Sequence, residues 1–326
     1  MKTSRFLQSM IAAACVLFSA CAATAAEPQY PARPVRMIVP FAPGGPTDTM
    51  GRILAQKLTE AFGQQVVVDN RAGAGGNIGM GIAANALPDG YTLLIVSSSF
   101  VVNPGLYKKI PYDPYKSFIP ISNVAASPNV FVVHPSLPAK TVKDLVAAMR
   151  ADPKKFSIAT PGVGTTPDLS AQLLRLTTKA DIATVPYGGA GPAVAAVVGN
   201  QVPVGCTALP PTTPYITSGR LHALAVTSAR RSEALPNVPT MAEAGFPGQE
   251  ADTLQGLLVP AGTPKAVVDR IYAEVKKIMA QPDVKKRVSD LGFDVIASSP
   301  KEFSAQVKTE VAKWGKVIKN AGITVN

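Results

Sequence analysis

One loop constrains this chain more than any other stretch: Pro40-Phe41-Ala42-Pro43-Gly44-Gly45-Pro46-Thr47-Asp48. An apolar strand, Val35 to Val39, runs into it. An amphipathic helix runs out of it, with Ile53, Leu54, Leu58, Ala61 and Phe62 on one face and Gly63 as its stop. Adjacent glycines between strand and helix let the backbone come close to a bound group. The helix start aims unpaired N–H groups at that group, which favours an anion. The loop has no Lys, His, Cys or Ser, so it is built to hold a ligand by its backbone rather than to react with it. Asp48 has two readings: an N-cap of the helix, which is favoured, or a ligand contact through an amine or a water.

The same alternation continues. Val66 to Asp69 and Leu93 to Ser97 read as strands, and Gly79 to Ala86 as a small-residue helix after the loop Gly73-Ala74-Gly75-Gly76. Short apolar strands separated by helices predict a parallel sheet covered on both faces. A second α/β run follows the turn-rich segment Asn103 to Pro120. Its strands are Val130 to Val133, Phe156 to Ala159, Ile182 to Val185, Val202 to Thr207 and Leu221 to Val226. Thr141 and Asp144 form a capping box for a helix through Arg150. A second glycine loop, Thr160 to Asp168, leads into the helix Leu169 to Thr177, and Asp168 poses the question that Asp48 posed. Tyr187-Gly188-Gly189-Ala190-Gly191 precedes a helix from Pro192 to Val198. The C-terminal part reads as mainly helical, with Thr263-Pro264 as one N-cap and Ser299-Pro300-Lys301-Glu302 as a capping box for another helix. Two α/β lobes, each offering helix N-termini, imply a cleft between them.

Catalytic constellations are scarce. No Walker lysine and no ordered dinucleotide fingerprint is present. His134, before Pro135, and His222, within a strand, read as structural, and no His/Cys/Asp cluster has metal spacing. Ser97 and Ser98 follow a strand but sit in no nucleophile elbow; they suit either ligand binding at a strand's carboxyl end or local loop bonding. Trp314 falls on the apolar stripe of the last helix and is expected in the core.

The first residues read as an export leader, with Lys2 and Arg5 before an apolar run from Phe6 to Ala20 and small residues through Ala26. Its removal takes Cys15 and Cys21, leaving Cys206, which is expected to be a buried apolar residue. The remaining chain is near +9, two below the +11 of the full sequence. Its lysines spread over outer helix faces such as Lys276, Lys285, Lys308 and Lys316, a solvated surface with a mild attraction for anions. So few aromatics in an exported chain argue against nucleic acid as a partner.

At this point nearly the whole chain after residue 26 resembles the periplasmic receptors of tripartite tricarboxylate transporters, the Bug family. The matching phrases include Tyr30-Pro31-Ala32-Arg33-Pro34-Val35-Arg36 and Ile38 to Gly45 with Asp48. They continue with Asn70-Arg71-Ala72-Gly73-Ala74-Gly75-Gly76-Asn77, Pro88-Asp89-Gly90-Tyr91-Thr92-Leu93 and Leu235-Pro236-Asn237-Val238-Pro239-Thr240, and end with Pro260-Ala261-Gly262-Thr263-Pro264. The resemblance implies a two-lobed α/β Venus-flytrap fold, each lobe a mainly parallel sheet flanked by helices. It implies lobe 1 at 27–127 plus 253–326, lobe 2 at 128–252, and hinge strands near 128–134 and 251–258. It further implies a periplasmic, non-enzymatic, cofactor-free and metal-free monomer that binds a small carboxylate and delivers it to membrane permease subunits. The implied contacts in the first lobe are Phe41, Ala42, Gly44, Gly45, Thr47 and Asp48, to which the strand-end position adds Ser97 and Ser98 as candidates. In the second they are Gly162, Gly164, Thr165, Thr166, Asp168, Tyr187 and Gly188. The chain departs from the family where His commonly stands at Asp168, Lys at Gly188 and an aromatic residue near Leu254. Two rival readings stay open: a ligand sensor for a membrane histidine kinase, and a periplasmic hydrolase.

Overall fold

The computed structural model describes residues 30–180 and 182–323. The leader, with Cys15 and Cys21, lies outside the described residues. The described residues from Pro34 onward form one compact unit.

The first glycine loop joins β1 (Val35–Val39) to α1 (Pro46–Phe62), which ends on Gly63 in the left-handed conformation. There follow β2 (Val66–Asn70), α2 (Asn77–Ala84), β3 (Thr92–Val96) and α3 (Ser99–Leu106). Strand β4 (Phe118–Val133) is 16 residues long. Beyond it lie α4 (Val142–Ala151), β5 (Ser157–Thr160), α5 (Thr166–Thr178), β6 (Ala183–Pro186), α6 (Ala190–Val198), β7 (Val204–Ala208), α7 (Leu209–Thr217) and β8 (His222–Val226). The chain returns through β9 (Asp252–Pro260) and closes with α8 (Lys265–Ala280), α9 (Pro282–Asp290), the short β10 (Asp294–Val295) and α10 (Pro300–Ala321).

The strands run β2-β1-β3-β9-β4-β7-β5-β6, with β8 and β10 attached to β4. Each half has a parallel core: β1 between β2 and β3, and β5 between β6 and β7. The expected mainly parallel lobes are therefore joined by antiparallel pairs, since β4 and β9 run against their neighbours. Strand β4 pairs β9 from Phe118 to Pro128 and β7 from Asn129 onward. One strand thus belongs to both halves, and its partner changes at a single peptide.

The apolar faces predicted for the helices are buried. In the first half Phe100, Leu254, Phe303, Trp314 and Ile318 share one core, which gives Trp314 the interior place expected of it. Phe131, Leu145, Ile158, Leu174 and Cys206 share another, and Cys206 is a buried free thiol. The capping boxes at Thr141/Asp144 and Ser299/Glu302 form as read. Thr263 does not cap α8. Its hydroxyl donates to Pro260 O at 2.7 Å, and Pro264 takes the N-cap position. With Pro264 as the cap, Thr263 stands one residue before it, and its hydroxyl bonds the local turn instead.

Candidate functional site

Connections at the carboxyl ends of β1, β3, β5, β6 and β7 meet over one small cavity of about 30 Å³. It is lined by Phe41, Gly45, Pro46, Thr47, Ser97, Pro161, Thr165, Pro167, Ala190, Ala208 and Thr253. Four of these mark helix starts: Gly45 caps α1, Thr165 caps α5, Ala190 opens α6 and Ala208 caps α7. None of those caps is made by a side chain. The wall contains no ionisable side chain. The wall itself exposes almost only apolar surface, and the positive dipole ends of these helices converge behind it. The first intrahelical bonds, Thr49 N–H to Gly45 O and Leu169 N–H to Thr165 O, leave the amides before them outside the ladder.

The two glycine loops are built alike. In α1, Asp48 sits three residues after the cap, and its Oδ2 accepts from Gly44 N at 2.9 Å. In α5, Asp168 sits at the same place and accepts from Gly164 N at 3.3 Å. Each carboxylate reaches backward to brace the loop that precedes its helix. Asp48 is therefore not the N-cap favoured from sequence, because Pro46 starts the helix two residues earlier. Proline fits that first position, where its missing N–H costs nothing.

The two carboxylates have different electrostatics. Burial pushes Asp48 upward, but bonds from Arg52, Gly44 and Asn70 outweigh it and hold the group below the usual aspartate range. Arg52 Nε donates to Asp48 Oδ2 at 2.9 Å, and Asn70 Nδ2 to Asp48 Oδ1 at 2.9 Å. Asp168 is buried; burial raises its pKa to about 6, against the bonds from Gly164 N and from Thr160 Oγ1 at 3.1 Å and the charge of Arg175.

Of the residues expected from sequence, the cavity wall includes Phe41, Gly45, Thr47, Ser97 and Thr165. Ala42, Gly44 and Gly188 form the seam beside it: Ala42 N donates to Gly188 O at 3.1 Å. Asp48 and Asp168 stand behind the loops. Gly162 accepts from Thr165 Oγ1 at 2.7 Å, and Tyr187 N donates to Thr160 O at 2.9 Å, so both shape the second loop. Gly164, at φ +80°, packs beside Asn103 and Leu106. Thr166 reaches Thr253, Oγ1 to Oγ1, at 2.6 Å. Ser98 is placed elsewhere. Its hydroxyl donates to Asp252 O and accepts from Leu254 N, and it lines a separate groove of about 310 Å³ with Glu310 and Trp314. Sequence reasoning did not single out Ala208 or Thr253. The only local signal for Thr253 was a position at the head of an expected hinge strand.

His134 bonds Ser136 Oγ at 2.8 Å on the surface, and His222 is exposed. Among the described residues no group of three His, Cys, Asp or Glu side chains could hold a metal, and no helix is long and apolar enough to cross a membrane.

A family model, "Tripartite tricarboxylate transporter family receptor", matches residues 50–323. The chain belongs to this family. A protein of Pseudomonas sp. strain P51, from the tcbD-tcbE intergenic region, is 39% identical over 298 residues, covering 91% of this chain and 89% of that protein. Protein BugT of Bordetella pertussis is 37% identical, covering 92% and 93%. Among solved structures the receptor resembles periplasmic binding protein BugD, with TM-score 0.88, 39% identity and coverage of 90% and 99%. It also resembles MatC of Rhodopseudomonas palustris with bound malate, with TM-score 0.85, 31% identity and coverage of 89% and 100%. Rpa4515 of R. palustris, solved with adipate, is similar at TM-score 0.87 and 34% identity, covering 90% and 99%. The receptor thus has the two-lobed periplasmic-binding-protein fold.

Proposed function

We propose that this receptor captures a small carboxylate between its lobes without transforming it, and hands it to the membrane subunits of a tripartite transporter. One observation carries the reading: four helix N-termini converge on a cavity whose wall has no ionisable side chain. An anion there is met by converging dipole ends, each contributing roughly 0.3–2 kcal/mol. No lining residue can act as a general base, which supports binding without turnover. The adipate and malate bound by relatives support a carboxylate rather than a phosphate.

In this reading lobe 1 spans 27–127 and 253–326 and lobe 2 spans 128–252. The partner change of β4 between Pro128 and Asn129 supports that boundary. Residues 1–26 act as the export leader to the periplasm. Phe41 to Asp48 takes the carboxylate first, and Gly162 to Asp168 with Tyr187 and Gly188 then closes upon it.

The test is a thermal-shift screen of the purified protein against mono-, di- and tricarboxylates, sugars and amines, followed by calorimetry. At a concentration a hundred times its Kd, a carboxylate should stabilise the fold by about 2.7 kcal/mol. A response confined to sugars or amines would refute the carboxylate reading, and turnover of a bound acid would refute the non-enzymatic one.

A further inference from the structure

The glycine loop from Gly73 to Gly76 contributes no residue to the cavity wall, yet the second half of the molecule reaches it. Asn103, fully buried, braces this loop: its Nδ2 donates to Gly75 O at 3.1 Å and to Asn77 Oδ1 at 2.8 Å. Gly75 has φ +62°, and an added Cβ there would overlap Val163 O and stand 3.0 Å from Tyr107 Oη. Gly164, the residue after Val163, packs beside Asn103 and Leu106. Two stretches of the first half, 73–76 and 103–107, thus form a socket for one loop of the second half, 162–164.

Val163 fills that socket. Its half-buried side chain packs against the apolar core of the first half, the cluster that holds Phe100, Leu106 and Leu254. Among the described residues, the two apolar clusters of its own half, one around Phe131 and Ile158 and one around Val194 and Val226, do not include it. Leu169, in the first turn of α5, enters the same first-half core and is fully buried. The two halves also sense each other electrostatically here. Burial first, and then the charge of Asp168, raise the Tyr107 hydroxyl above the usual tyrosine range.

Apolar surface that is covered when two bodies meet favours their meeting, whether or not a ligand is present. Val163, Gly75, Asn103 and Tyr107 all lie outside the cavity wall. Building on the two-lobed capture proposed above, we propose that Val163 is a latch residue. Seated in the socket, it holds a fraction of the ligand-free receptor closed. A residue that touches no ligand therefore contributes to ligand affinity. That contribution belongs to the closed state, so it is the same for every ligand the receptor takes.

Hydrogen exchange on the ligand-free protein tests the latch, because one amide reports the meeting of the halves. Ala42 N donates to Gly188 O across the seam, whereas Val35 N donates to Gln65 O within the first half. In wild type the Ala42 amide should exchange measurably more slowly than in an unstructured peptide. Val163→Ala removes two methyl groups from a half-buried site. The closed-to-open ratio read from Ala42 should then fall about threefold to tenfold, with exchange at Val35 unchanged. Val163→Asp, which would put a charge into the socket, should bring Ala42 to the unstructured rate. An Ala42 amide that is unprotected in wild type, or equally protected in all three proteins, overturns the latch. An equal loss at Val35 would overturn it too, since Val163 would then be holding the fold of the first half rather than a joint. If Val163→Asp does not fold, as judged by its melting curve, wild type and Val163→Ala still decide the question. No ligand enters the measurement, so failure of every acid to bind would strike the function proposed above and leave the latch standing.

Discussion

Asp48 and Asp168 occupy one structural position in two copies of the same loop–helix unit, yet they differ by what faces them. Asp48 is bonded by a guanidinium at 2.9 Å; Asp168 is bonded by a hydroxyl and an amide, and Arg175 acts on it through charge alone. For Asp168 the consequence is a pH-dependent cost. Its folded pKa, about 6, lies above the ordinary value of 3.8. Between those two values the folded state holds a proton that the unfolded state has released. Stability contributed by this group therefore falls as pH rises through that window. Two units correspond to roughly 3 kcal/mol once the carboxyl is fully ionised. Asp168→Asn removes the titration but puts an amide N–H toward one of the two donors. The variant should be less stable than wild type near pH 4.5 and should overtake or approach it by pH 7.5. Urea midpoints at three pH values measure this, and a stability difference that does not change with pH would rule it out. Asp48 has the opposite sign. Its depressed pKa contributes stability that is present above 3.8 and is lost only as pH falls below that value.

At the scale of elements, α10 packs one buried aromatic against the backbone of β9. A Cβ added at Gly256 would lie 2.9 Å from Phe303 Cε1 and overlap the ring tip, and Phe303 is fully buried with no room to retreat. Gly256→Ala should cost about 1–3 kcal/mol by overpacking. Gly315, on the same helix, would meet nothing within 4 Å. Gly315→Ala should instead stabilise by about 0.5–1 kcal/mol through helix propensity. Chemical denaturation of both variants checks the pair, and equal signs would contradict this packing. Such long-range contacts also explain which elements were legible in sequence. Helices α1, α4 and α10 announced themselves through local signals: periodicity, a proline or a capping box at the start, and glycine at the end of two of them. The first part of β4 did not: Phe118 to Pro120 fell in the segment read as turn-rich, and Ser122, Asn123, Ser127 and Asn129 interrupt the apolar pattern beyond it although all four are buried. Helix α7 was hidden by Pro210, Pro211 and Pro214. Its fully buried Thr212 donates to Ala208 O at 2.9 Å, a stabilising contact that its composition does not advertise. In the site, residues on glycine loops were readable. Ala208 and Thr253 were not, since only the folded sheet brings them to the cavity.

For the whole molecule, the two halves meet on glycine. Ala42 N reaches Gly188 O, and Gly191 lies against the first loop so closely that an added Cβ would stand 2.7 Å from Pro43 O and 3.3 Å from Gly44 C. Those nearest atoms all belong to the opposite half. The same is true of Gly164, whose added Cβ would lie 2.6 Å from Asn103 Oδ1 and 2.7 Å from Leu106 Cδ2. At Gly188 and Gly191 backbone meets backbone across the seam, and the closure proposed above would require the absence of side chains there. Gly191 gives the clean experiment, because its φ is not in the left-handed region and alanine suits its place near the start of α6. Gly191→Ala should melt at or slightly above the wild-type temperature without ligand. Its closed form, by contrast, must absorb an overlap with a carbonyl oxygen, a cost of about 1–3 kcal/mol. Ligand affinity draws on the difference between closed and open states, so that cost appears in binding. The expected loss is about tenfold or more. Small-angle scattering supplies the second readout: wild type should contract when ligand is added, and the variant should contract less at equal ligand concentration. Undiminished affinity together with full contraction would show that the seam can yield, and that the close approach of the glycines does not control closure.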